Sequence, residues 1–303
     1  MNRRIFVRNM LAGTAGLYLG VSPFELLAGN KSKIITILHT NDIHSHIEPW
    51  GGSDERYAGK GGLARIAEYA EKVRKENPDT LLFDAGDMFQ GTPYFNFYKG
   101  KLILQIMSEA GYDAGTIGNH EFDNGLEGLL SVLKYARFPL INSNYDFSET
   151  VLKGKFPRYK VFRRSGIKIG VYGLGIELKG LVAEKNYGNT VYNDPVRVAL
   201  AMEDLLANRL RCNLVVCLSH LGLRYSDNKI SDETLAPKTK YTDLIIGGHT
   251  HTYLDKPLEI ENSAGKKVIV NQAWWGGLEI GRLDFVFDEA KRKSGVVVNH
   301  LKG

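Results

Sequence analysis

The sequence predicts a single α/β domain over residues 31–303. Three observations carry that expectation. Short apolar runs alternate with amphipathic segments from residue 34 onward. The chain has 303 residues, 43% of them hydrophobic, enough for one large core and too apolar for a disordered chain. Polar residues of metal-ligand type gather where the apolar runs end, as functional loops do at strand C-termini in open α/β sheets.

The elements follow in order. Apolar runs at 34–38, 80–83, 114–117, 167–172, 214–218 and 244–246 are short and β-rich, and read as buried strands. Leu63, Ile66, Ala67, Ala70 and Val73 recur at helical spacing until Asn77-Pro78. Leu102, Ile106, Met107 and Ala110 make a second helix, with Gly111 placed as its C-cap. Leu126, Leu129, Leu130, Leu133 and Ala136 make a third. Asp194-Pro195 supplies an N-cap and a first-turn proline for a fourth, with Val198, Met202, Leu205 and Leu206 inward. The tail reads as three strands, 268–271, 281–287 and 295–301.

Residues 1–30 read as an export signal. A basic stretch with Arg3, Arg4 and Arg8 precedes a mild apolar run from Met10 to Val21, too short to span a bilayer stably. The arginine pair followed by Phe6 resembles the twin-arginine type, which implies a periplasmic destination. The net charge is +5, of which Arg3, Arg4, Arg8 and Glu25 contribute +2. The remainder is too weakly basic for a nucleic-acid-binding domain. Cys212 and Cys217 sit too close along one extended segment to bridge easily, and read as buried thiols.

Five strand ends carry the chemistry. The first runs into His39-Thr40-Asn41-Asp42-Ile43-His44 and the second into Asp84-Ala85-Gly86-Asp87. The third runs into Gly118-Asn119-His120-Glu121, the fifth into Ser219-His220 and the sixth into Gly247-Gly248-His249-Thr250-His251. Of the 8 histidines only His300 lies away from these loops. Imidazole, carboxylate and amide donors without thiolate suit Zn, Mn, Fe or Mg. Asp42, His44, Asp87, Asn119, His220, His249 and His251 are too many for one four-coordinate ion. Two ions sharing one carboxylate fit the count, and such a pair clamps in-line displacement at phosphorus.

Asp42-x-His44, Gly86-Asp87, Gly118-Asn119-His120-Glu121, His220 and Gly248-His249-x-His251 together resemble the five-block signature of calcineurin-like metallophosphoesterases. The strings His39-Thr40-Asn41-Asp42-Ile43-His44-Ser45-His46 and Gly118-Asn119-His120-Glu121-Phe122-Asp123-Asn124-Gly125 narrow the resemblance to the 5′-nucleotidase branch. It covers about residues 33–287. The resemblance implies a four-layer α-β-β-α sandwich with two mixed sheets and two divalent metal ions. It places Asp42, His44 and His251 on one metal, Asp87 between the two, and Asn119, His220 and His249 on the other. His120 contacts the phosphoryl group, with Asp123 orienting its imidazole. The implied reaction is metal-assisted phosphoester hydrolysis, with water attacking phosphorus in line with the leaving oxygen.

Relatives acting on 5′-nucleotides carry a second, C-terminal domain for base and phosphate, and this sequence reads as the metal domain alone. The resemblance therefore implies a separate C-terminal substrate-binding chain, or action alone with looser specificity. Besides a nucleotide-directed phosphomonoesterase, the same site could serve a cyclic-nucleotide or nucleotide-sugar phosphodiesterase, or a non-catalytic metal-binding subunit of a split enzyme. Other residues read more plainly. His39 packs against the sheet, Asp84 and Glu121 brace their loops, and His46 faces either the cleft or solvent. Trp274-Trp275 packs in the core or else lines the cleft, and Lys291-Arg292-Lys293 is a solvated turn.

Overall fold

The computed structural model describes residues 32–52 and 55–302. The expected export segment, residues 1–30, lies outside the described residues. The first half runs β1 (Lys33–Thr40), α1 (Leu63–Glu76), β2 (Thr80–Asp84), α2 (Pro93–Tyr98), α3 (Lys101–Glu109), β3 (Ala114–Gly115), α4 (Gly125–Leu133), β4 (Tyr145–Asp146) and β5 (Tyr159–Arg164). It continues with β6 (Ile167–Leu174), α5 (Glu184–Tyr187), β7 (Val191–Tyr192), α6 (Pro195–Asp204), β8 (Leu214–Ser219), α7 (Asp232–Leu235) and β9 (Leu244–Gly247). The last strands are β10 (Leu258–Glu261), β11 (Lys267–Asn271), β12 (Glu279–Phe287) and β13 (Lys293–Lys302).

Two mixed sheets form, in the orders β13-β12-β1-β2-β3 and β10-β11-β9-β8-β6-β5, with β4 and β7 as a small ribbon apart. Parallel pairing joins β1, β2 and β3 in one sheet and β6, β8, β9 and β11 in the other. The register sets the level at which each loop leaves. Thr40 lies opposite Asp84, and Ser219 opposite Gly247. The polar loops of neighbouring strands therefore start side by side.

Three apolar clusters order the layers. One takes Ile35, Ile37, Leu81, Phe83 and Phe285 from the first sheet and Ile169, Val171, Val216, Leu218 and Ile246 from the second. It is the core between the sheets. A second packs Leu38 and Leu82, on the outer face of the first sheet, against Leu63, Ile66, Ala70, Leu104, Met107 and Leu129 of α1, α3 and α4. The third packs Val215, Cys217, Ile245 and Val270 against Ala199 and Met202 of α6 and Leu235 of α7. Helices, sheet, sheet and helices follow from this order. Each fully buried Leu, Ile or Phe contributes about 1.5–3 kcal/mol.

The structure also departs from expectation in detail. The run at 114–117 pairs only over Ala114–Gly115, and the Thr116 hydroxyl donates to the Ile141 carbonyl. The edge strands β5 and β10 were not anticipated, since Tyr159–Arg164 and Leu258–Glu261 are polar and half-exposed. Cys217 is buried, but Cys212 is only half-buried; both are free thiols. At the Lys291-Arg292-Lys293 turn, Lys293 opens β13 and pairs with Asp243. Asp194 caps α6 as expected, accepting from the Val196 and Arg197 amides.

Candidate metal centre

The site is built from strained loops. Asp42, His44, Asp87, His249 and His251 hold left-handed backbone, with φ of 50°, 49°, 55°, 72° and 48°. Such residues cost on the order of 1–3 kcal/mol each and persist only where their surroundings over-determine them. Here the loops lace together. The Asp42 amide donates to the Gly86 carbonyl (2.9 Å), His44 to Asp87 (3.0 Å) and Ser45 to Met88 (2.9 Å). The His249 amide donates to both oxygens of the Asp42 carboxylate, at 3.0 and 2.9 Å.

The side chains converge in two groups. Asp42, His44 and His251 bring one donor atom each into one small volume, and Asp87, His220 and His249 do so in another. In the first, His44 Nε2 and His251 Nε2 stand 2.9 Å apart, and His251 Nε2 is 3.4 Å from Asp42 Oδ1. In the second, His220 Nε2 is 2.9 Å from Asp87 Oδ2, yet off the hydrogen-bonding line. His220 Nε2 also lies 4.0 Å from Asp42 Oδ1, which joins the groups. The Nδ1 atoms of His44 and His220 face the carbonyls of Phe89 (3.2 Å) and Ala85 (2.7 Å). Each Nε2 lone pair is thereby left to the interior, the arrangement ligand histidines adopt.

Asn119 is 5% exposed, and its buried Oδ1 has no partner. Beside it, a Cβ on Gly118 would lie 2.2 Å from Asp87 Oδ1 and 2.6 Å from His220 Nε2, so only glycine fits. Clustered donors, facing lone pairs and an orphaned amide oxygen suit a divalent cation in each group.

In the metal-free protein these groups set one another's charge. Burial opposes the His220 cation, but the adjacent Asp87 carboxylate outweighs it and raises the imidazole to about 10. Burial likewise opposes the Asp87 anion, yet His220 holds it well below the usual carboxylate range. His249 is lowered to about 4 by burial and by the charge of His220. At His120, burial is outweighed by the hydrogen bond to Asp123 and the Asp87 charge, and the imidazole rises to about 9. The His120 Nδ1–Asp123 Oδ2 distance is 2.7 Å.

The calcineurin-like phosphoesterase model matches residues 35–253. The chain belongs to the calcineurin-like phosphoesterase family. It is thereby grouped with phosphoric ester hydrolases that use two divalent metal ions, and its two donor groups offer two places for them. A 5′-nucleotidase of Bos taurus is 32% identical over 96% of this chain and 51% of its own length. The crystal structure of a 5′-nucleotidase precursor from Thermus thermophilus superposes with a TM-score of 0.79 at 34% identity, over 89% of this chain and 54% of that one. The NAD nucleotidase of Haemophilus influenzae gives 0.75 at 26% identity, over 89% and 50%. The chain spans about half the length of the curated relatives it matches. Among the described residues, no helix is long and apolar enough to cross a membrane.

Several side chains brace the phosphoesterase site. Glu121 accepts from the amides of Asp87, Met88, Phe89 and Gly118, tying two ligand loops together. Asp84 accepts from Thr40 Oγ1 at 2.6 Å and from the Gly86 amide at 2.9 Å. His39 is fully buried between the sheets, its Nε2 2.9 Å from Asn271 Nδ2. His46 stacks on Trp50 with ring centroids 4.0 Å apart.

One feature was left open by sequence reasoning between core and cleft, and another escaped it. The tryptophan pair is not core: Trp274 and Trp275 are half-buried, and Trp275 stacks on His251. Their turn leaves β11, which runs parallel to β9 and so delivers a sixth loop to the same rim. The signal was an apolar run ending in Trp-Trp-Gly-Gly, which resembles core sequence more than ligand chemistry. Gln272 was missed; it donates to the Gly248 carbonyl (2.9 Å) and accepts from the Thr252 amide (3.0 Å), fixing the His249–His251 turn.

Proposed function

We propose that the protein is an exported, periplasmic, dinuclear metal-dependent phosphoester hydrolase, acting as a 5′-nucleotidase-like phosphomonoesterase. The observation that carries this reading is the meeting of both donor groups beside the His120–Asp123 pair. Asp42, His44 and His251 would hold one cation and Asn119, His220 and His249 the other, with Asp87 available to both. When bound, two divalent cations supply positive charge for phosphoryl oxygens and lower the pKa of water from 15.7 toward about 7.

The chain's own residues do the rest. Asn119, whose unpartnered Oδ1 would serve a cation, would keep its Nδ2 as a donor for a phosphoryl oxygen. Asp123 occupies His120 Nδ1, which leaves proton transfer or charge stabilisation at the leaving oxygen to Nε2. The bovine and Thermus 5′-nucleotidases support a nucleotide substrate. Those relatives extend about twice as far as this chain, which supports base recognition by a further C-terminal domain or separate chain. Export rests on the basic and apolar pattern of residues 1–30.

The test is turnover of metal-reconstituted protein on 5′-nucleotides, cyclic nucleotides and a generic aryl phosphate, with metal content measured alongside. Monoester hydrolysis that appears with metal loading is expected. Faster diester turnover would favour the phosphodiesterase reading, and no turnover by fully loaded protein would favour a non-catalytic subunit.

A further inference from the structure

The imidazoles of the candidate centre are not all held in the same way. His44 and His220 are braced through Nδ1 by backbone carbonyls. His251 has no such brace among the described hydrogen bonds; its Nε2 lies 2.9 Å from His44 Nε2 and 3.4 Å from Asp42 Oδ1. Its ring instead lies flat on Trp275, with centroids 5.3 Å apart and planes 5° from parallel. The same indole meets His44 edge-on at 6.5 Å. Trp50 and His46 close in edge-on behind it, at 4.8 and 5.9 Å.

The turn that carries this indole is itself fixed to the site. Asn41 donates to the Trp274 carbonyl (2.6 Å) and accepts from the Ala273 amide (2.7 Å). Asn41 Nδ2 also reaches Asp42 Oδ2 at 2.7 Å. The Gly276 amide donates to the Asp42 carbonyl at 2.7 Å. Trp274 holds left-handed backbone, φ 56°, within this lattice. One short turn, 273–276, thus engages Asp42, His44 and His251 together. No described hydrogen bond or ring contact joins it to Asp87, His220 or His249.

We propose that Trp275 is a positioning residue for the cation held by Asp42, His44 and His251. Its indole sets the plane of His251 and the spacing of that ring from His44. This inference rests on the metal-site reading given above. A ligand imidazole is normally kept in orientation by a hydrogen bond at its second nitrogen, and loss of that partner weakens metal binding about 10–100-fold. At His251 the flat stack does that work by blocking ring rotation. The effect belongs to one cation position and leaves the other untouched.

The experiment is a calorimetric Mn²⁺ titration of wild type, Trp275→Leu and Trp275→Phe, with thermal melts as a check on folding. Wild type should take two equivalents. Trp275→Leu should weaken one of them by about tenfold or more and leave the other unchanged, while Trp275→Phe, which can still stack, recovers most of the loss. The second measurement needs no change at the stack. Trp50→Phe/Trp274→Phe leaves Trp275 as the sole survivor of the 3 tryptophans. Its fluorescence should be quenched by Co²⁺ in step with the equivalent that Trp275→Leu weakens. Equal affinities for both equivalents in Trp275→Leu and wild type, or Trp275 emission indifferent to Co²⁺ in a protein that binds it, would overturn the proposal. Wild type that binds neither ion would overturn the metal-site reading itself, and this inference with it.

Discussion

Asp87 is 1% exposed, with His220 Nε2 at 2.9 Å and the His120 amide donating to its Oδ1 at 2.8 Å. The His120 imidazole, by contrast, is partly exposed and held at Nδ1 by Asp123. Losing a positioned acid–base group costs about 10²–10⁴ in rate. If Asp87 is the carboxylate shared by two cations, as proposed, losing it would cut the larger contribution, hydroxide availability at neutral pH. Asp87→Asn should therefore lower kcat/KM more than His120→Ala, and equal residual rates in fully metal-loaded variants would contradict the ordering. His120 also makes a pH prediction. In metal-free protein its folded value of about 9 lies above the ordinary 6.5. Its contribution to stability is complete below about 6.5 and lost as pH rises through about 9. An NMR titration of the imidazole should show the raised midpoint in wild type and a lower one in Asp123→Asn. The converging donor residues were legible in the sequence because Asp and His pairs at strand ends rarely have a structural reason to be there. Asn41, Gln272 and Trp275 were not, because asparagine, glutamine and tryptophan serve many ordinary roles and only their contacts disclose these.

Loops, more than strands, decide the site's precision at the next scale. Gly118 has no left-handed backbone to protect, so its replacement isolates crowding: an added methyl would meet Asp87 Oδ1 and His220 Nε2. Gly118→Ala should reduce metal binding and activity by an order of magnitude or more, and the overpacking, about 1–3 kcal/mol, should also lower the melting temperature of metal-free protein. Titration calorimetry and a thermal melt read the two effects separately. The central strands were legible because they are buried on both faces and so appear as unbroken apolar runs. The edge strands β5 and β10 lack that signature. The six-residue α2 and four-residue α5 and α7 are too short to show a helical period. The turn after β11 stayed open between core and cleft because its chemistry is aromatic, and a tryptophan pair next to an apolar strand looks like core.

At the scale of the whole molecule, two sheets meet across one shared core and present their loops at a common rim. The first sheet supplies Asp42, His44, Asp87 and Asn119, and the second supplies His220, His249 and His251. Neither sheet alone carries either donor group, since Asp42 and His44 need His251, and Asp87 needs His220 and His249. The sandwich was not legible from periodicity, which reveals strands but not their partition between sheets; it came from the motif resemblance. The central claim is that these two sheets together hold a pair of cations. The most direct test is an anomalous-scattering map of Mn²⁺-loaded crystals. The account predicts two peaks about 3.5–4 Å apart, one among Asp42, His44 and His251 and one among Asn119, His220 and His249, with Asp87 reaching both. A single peak, or peaks away from these side chains, would contradict it.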